Sequence, residues 1–154
     1  MTRPQTSQMT PSAPQTGKTG TLYGIGVGPG DPELLTLKAA RILGTVDTIF
    51  AASSSKNDYS LSLRIVRPHL RPGIEVEHLP FPMTRDAALL REAWERNADR
   101  VAEVLAAGRD AAFLTLGDPS LYSTFGYLLE TLNGRLPRTR VEIVPGIASF
   151  QAAA

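Results

Sequence analysis

Phe113-Leu114-Thr115-Leu116-Gly117-Asp118-Pro119-Ser120-Leu121-Tyr122-Ser123-Thr124-Phe125 is the stretch on which the reading of this chain turns. The apolar run 111–116 has the composition of a buried strand, and it stops abruptly at Gly117-Asp118-Pro119. Apolar residues then recur at Leu121, Phe125, Leu128, Leu129 and Leu132, the spacing of one helix face. A strand that ends in Gly-Asp-Pro and resumes as a helix leaves backbone N–H groups and a carboxylate at a carboxyl edge. Open α/β sheets bind their ligands at such edges. Gly117 permits close approach to the backbone, and Pro119 cannot extend the strand. Taken alone, the same turn is equally a tight connection in which Asp118 caps the next helix.

Two further strands end in the same way. Toward the amino end, Leu22, Tyr23, Ile25 and Val27 alternate with glycines before Gly28-Pro29-Gly30-Asp31-Pro32. Those glycines do not fit G-x-G-x-x-G, because the third glycine is Pro29 counting from Gly24 and Asp31 counting from Gly26, so a dinucleotide fold is disfavoured. Toward the carboxyl end, the strand 141–144 runs into Pro145-Gly146-Ile147-Ala148-Ser149-Phe150-Gln151.

Between these turns the pattern alternates. Asp31 and Pro32 are a good N-cap and first residue for a helix carrying Leu34, Leu35, Leu37, Ala40, Ile42 and Leu43, which Gly44 ends. A second strand is expected at 46–51, followed by the polar loop 52–60 and a short helix stopped by Pro68. A third strand with one wet face is expected at 74–79. The longest helix is expected over 86–107 with Gly108 after it, and Arg85, Arg91, Arg96 and Arg100 read as its solvated side. Asn133 and Gly134 close the helix after the central turn. About five strands alternating with helices predict an α/β fold, a mostly parallel five-stranded sheet flanked by helices. In a parallel sheet all three glycine-proline turns lie on one edge, where they could share one ligand.

Composition narrows the function. The chain has 154 residues, 42% of them apolar, and a net charge of +1. That balance gives no reason to expect nucleic acid or an anionic membrane as partner. The absence of cysteine excludes a disulfide framework, a zinc–thiolate site and a cysteine nucleophile. His69 and His78 lack ligand-like spacing, so no metal site is expected. No apolar run approaches the roughly 18 residues of a spanning helix, so a soluble, cytoplasmic protein is expected. Residues 1–20 are rich in Pro, Gln, Ser and Thr and are expected to be a disordered tail before a domain at 21–154. Gly17-Lys18-Thr19 mimics the end of a phosphate loop, but Ser12 replaces its leading glycine and no strand precedes it.

The ordered trio G-x-G-P-G-D, G-D-P-x-x-Y and V-P-G-I-x-S resembles the tetrapyrrole methylases, a family of S-adenosyl-L-methionine-dependent methyltransferases. Within that family, Phe81-Pro82-Met83-Thr84 and the stretch 115–125 are most similar to enzymes that methylate C20 of precorrin-2 in cobalamin synthesis. The resemblance implies a cofactor folded in a cleft with a small-molecule tetrapyrrole above it, a homodimer at full length, and a second α/β domain following this one. These residues alone are therefore expected to be the amino-terminal half and inactive by themselves. Carried over singly, Pro29, Leu116, Gly117, Asp118, Leu121, Ala148 and Ser149 match positions that line the cofactor pocket.

The branch that methylates uroporphyrinogen has an Asp just after its second strand, where this chain has Ala52, and that departure points to another ring substrate. A sulfonium methyl is already activated, so no acid or base is assigned. Lys56, Arg64, Arg67 and Arg85 are candidates to clamp substrate carboxylates, each weighed against an ordinary surface charge. Methylation at another ring position, a non-tetrapyrrole substrate within the family, and a non-catalytic binding module remain alternatives at this point.

Overall fold

The computed structural model describes residues 17–53, 60–121 and 123–153. Its centre is a five-stranded sheet in the order β3-β2-β4-β1-β5, formed by β1 (Leu22–Gly26), β2 (Thr48–Ser53), β3 (Glu75–Pro80), β4 (Ala111–Thr115) and β5 (Val141–Val144). Every pairing is parallel, and the register sets Leu22 of β1 beside both Ala111 of β4 and Val141 of β5. Strand β4 sits in the middle and every residue of it is buried, which is why its sequence is a continuous apolar run rather than an alternation.

Side chains alternate across that sheet and sort the core into two layers. Phe113 joins Leu22, Phe50, Phe125 and Leu128 beneath α3 (Ala87–Ala106) and α4 (Phe125–Asn133). Its neighbours Ala112 and Leu114 join Ile25, Ile49, Ile42 and Ile65 beneath α1 (Leu37–Leu43) and α2 (Leu61–Val66). The layered α/β fold is as the sequence predicts. Edge strand β3 keeps only Leu79 buried, in line with the wet face expected there, and Arg100 of α3 reaches its Glu77. That guanidinium binds Glu77 with two nitrogens and also reaches Glu103, so it is an edge clamp rather than a solvated charge. Charges on a strand edge oppose pairing with another chain.

Three local expectations are corrected. The first helix is broken: Asp31 caps only a 3-10 turn at Pro32–Leu34, the backbone extends at Leu35, and Thr36 caps α1 through Ala39 N at 3.1 Å. Leu37 consequently points away from the core and is 91% exposed. The helix after the central turn begins at Phe125, not near Leu121, so Asp118 is not its cap. Within the stretch 1–20 expected as a tail, Gly20 is instead buried and donates its N–H to Leu105 O at 2.8 Å, while residues 1–16 lie outside the described residues. Gly20 is held there by close approach: a Cβ would stand 1.9 Å from Arg109 O.

Candidate functional site

The three glycine-proline turns meet at the carboxyl edge, between β4, β1 and β5. Past the ends of their strands, β1 and β4 exchange a short antiparallel bridge, with Gly117 N donating to Gly28 O at 2.9 Å and Gly28 N to Gly117 O at 3.3 Å. A parallel pair reverses to an antiparallel bridge only by a sharp backbone bend, and both residues take positive φ, 78° at Gly28 and 64° at Gly117. The third turn arrives by contact of bare backbones. A Cβ on Gly146 would stand 2.0 Å from Gly117 O and 2.7 Å from the carbonyl carbon of Gly26.

Asp118 completes the junction. Its Oδ1 accepts from Ser120 N at 2.8 Å and from the Ser120 hydroxyl, and its Oδ2 accepts from Gly146 N at 3.1 Å. Burial pushes this carboxyl upward, but the bonds from Ser120 and Gly146 outweigh burial and hold it below the ordinary carboxylate range. The next turn of chain closes with Leu121 N donating to Asp118 O at 3.2 Å, and this places Leu121 outside the helix and over the same edge. Beyond Gly146, Gln151 Oε1 accepts from Ala148 N at 2.9 Å, which fixes the start of α5 (Ser149–Ala152).

Together these turns enclose a cleft of about 390 Å³ lined by Pro29, Leu116, Gly117, Asp118, Leu121, Ala148, Ser149 and Phe150. Every cofactor-lining position inferred from the resemblance is thus brought to one cleft. Phe150 is the lining residue the sequence reading passed over. Its signal was its place: a large aromatic directly after the third motif, with no helix-period partner to bury it. Leu116, Leu121 and Phe150 are 49%, 45% and 68% exposed, so the wall offers apolar surface to an occupant. The volume is within the range of small-molecule sites, roughly 300–1,000 Å³, and the mix of apolar wall, backbone and a few polar groups is their usual chemistry.

The cations named for a substrate scatter more widely. Arg85 stands on the connection after β3, on the same edge of the sheet. Arg64 and Arg67 lie at the far end of α2, and none of the three lines the cleft. Lys56 is outside the described residues. Ala52 lies within β2 and packs, half-buried, against the α3–α4 layer, so that position presents no ionisable group. Among the described residues no helix is long and apolar enough to cross a membrane.

The chain is 42% identical over 135 residues to the cobalt-precorrin-2 C(20)-methyltransferase of Salmonella typhimurium, covering 88% of this chain and 56% of that one. It is 34% identical over 140 residues to the precorrin-2 C(20)-methyltransferase of a Sinorhizobium species, covering 85% of this chain and 55% of the relative. It therefore spans little more than half the length of these relatives. Among solved structures, the uroporphyrin-III C-methyltransferase of Thermus thermophilus complexed with S-adenosyl homocysteine superposes with a TM-score of 0.59 at 26% identity. That match covers 87% of this chain and 51% of the other. Residues 21–154 match the family described as Tetrapyrrole (Corrin/Porphyrin) Methylases, and the chain belongs to that family.

Proposed function

We propose that this chain serves methyl transfer from S-adenosyl-L-methionine to C20 of precorrin-2, or of its cobalt-bearing counterpart, in corrin biosynthesis. The observation that carries the reading is the 42% identity, over 135 residues and 88% of this chain, to an enzyme named for that reaction. The cleft fits the cofactor by its own chemistry. An apolar wall suits an adenosine moiety, and the bare backbone at Gly117 lets a ligand approach where a side chain would block it.

When bound, the cofactor supplies a methyl group already activated on a sulfonium. The residues present have three tasks. Leu116, Leu121 and Phe150 exclude water from the reacting centre. The Gly28–Gly117 bridge fixes the floor of the cleft that would hold the cofactor. The junction at Gly146 sets the distance between the walls, and with it the in-line approach on which the rate depends. The electron-rich meso carbon of a reduced tetrapyrrole would take the methyl as the methyl–sulfur bond breaks and the thioether leaves, and the proton that C20 then loses is assigned to no residue of the cleft. The reading carries with it a cytoplasmic enzyme that, at full length, is a homodimer. Incubation of the intact gene product with methyl-labelled S-adenosylmethionine and precorrin-2, with and without cobalt, tests it. NMR should locate the label on C20, whereas label on another ring carbon, or none transferred, overturns the assignment.

A further inference from the structure

We infer that Asp118 acts as a positioning residue, a strut that ties the third turn of the cleft to the first two, rather than as a ligand of the bound molecule. The inference rests on the cofactor reading above for what the cleft holds, and on this structure for how the cleft is held.

The β1–β5 ladder has ended by the time the third turn forms, since its last register pair is Ile25 with Val144. Residues 145–149 then lean on the other turns through bare backbone at Gly26 and Gly117, a contact that excludes side chains but has no direction of its own. The directional tie is the bond from Gly146 N to Asp118 Oδ2 at 3.1 Å. The other oxygen is occupied too, by Ser120 N and the Ser120 hydroxyl, so the carboxylate bridges two turns and is itself fixed in rotation. Three donors converge on it from within the chain, which is the arrangement that keeps a partly buried carboxylate ionised. Ala148, Ser149 and Phe150, which line one wall of the cleft, hang from the turn that this bond secures. Releasing it widens the cleft without removing any lining group except the carboxylate itself.

Asparagine does not replace this function. Its single acceptor oxygen can serve either Ser120 or Gly146, and its amide then presents a donor to the other donor. Asp118→Ala should therefore free the third turn outright, and Asp118→Asn should free it to the extent that its one oxygen turns to Ser120.

The test uses the intact gene product and separates a strut from a ligand. In the absence of any small molecule, amide hydrogen exchange at residues 146–149 should rise about ten-fold or more in Asp118→Ala, with the amides of β4 unchanged. Affinity for S-adenosylhomocysteine and for 5′-methylthioadenosine, which lacks the amino-acid arm, should then fall by the same factor, about ten-fold. Unchanged exchange at 146–149, with a loss confined to S-adenosylhomocysteine, would show that Asp118 grips the amino-acid arm directly and would overturn the inference. If the unsubstituted protein binds neither compound, the cofactor reading fails, yet the exchange result still decides the strut. Should the Asp118 variants not fold, Ser120→Ala removes only the hydroxyl bond to Oδ1, and the same exchange comparison applies on a smaller scale.

Discussion

The ring of Phe125 lies against the bare Cα of Gly24: a Cβ built on that glycine would stand 2.3 Å from Phe125 Cε1. Phe125 is 1% exposed and stacks on Phe113 with ring centroids 5.6 Å apart, so it has nowhere to retreat. Gly24→Ala should destabilise the fold by about 1–3 kcal/mol, as overpacking of a tight core does. Urea denaturation measures this. The double variant Gly24→Ala/Phe125→Leu should recover part of the loss, and full additivity of the two changes would mean that the contact is not the cause.

Gly146→Ala is predicted to be worse than a typical surface glycine substitution and to abolish ligand binding. The added carbon meets backbone, Gly117 O at 2.0 Å, which cannot rotate away as a side chain does. A melting temperature and an affinity both equal to those of the unsubstituted protein would contradict the close junction described here.

Acid should destabilise the protein through three carboxyls. Glu75 is held below its ordinary value first by the hydrogen bond from Arg109, and Glu142 first by that from Lys38. At Asp118 burial works the other way but is outweighed by Ser120 and Gly146. A carboxyl lowered by folding contributes stability that is fully present above its unfolded value, about 4, and is lost as pH falls through the folded value. Thermal unfolding should therefore be insensitive to pH from 7 to about 5 and drop below about 4. Asp118→Ala should flatten part of that drop. A melting temperature that rises on acidification would contradict the sign.

Trp94 of α3 stacks on Tyr127 of α4 with centroids 4.7 Å apart and planes 5° from parallel. Because the chain has one tryptophan, its fluorescence reports on this pair alone. Tyr127→Ala should red-shift the emission and cost about 0.5–1.5 kcal/mol beyond lost area. An unshifted spectrum would place the rings apart in solution.

These sites differ in how far the sequence exposes them. β4 is legible because burial on both faces leaves an unbroken apolar run, and α3 because Asp86 and Gly108 punctuate it. The lining of the cleft is legible through its motifs. What is not legible is how the motifs are joined, since contacts such as Gly146 against Gly117 lie between residues far apart in the chain and involve no side chain. The break before α1 was concealed by a good local signal, because Asp31 and Pro32 begin a helix wherever one is allowed to continue. Thr36, a second cap residue three positions before Ala39, is the clue. Leu121 was misplaced for a similar reason. Its helical spacing to Phe125 was real, but the turn from Asp118 holds it over the cleft instead.

The claim at the centre of this account is that the three converging turns form the seat of the cofactor. Calorimetric titration of S-adenosylhomocysteine into the intact gene product and into its Leu121→Asp variant tests it directly. Leu121 lines the cleft and is 45% exposed, so a charge there should leave the melting temperature nearly unchanged. The account predicts micromolar binding to the unsubstituted protein and an affinity about ten-fold or more lower in the variant, because a buried carboxylate would face an apolar ligand surface. Equal affinity in the two proteins, or no binding to either, would contradict it.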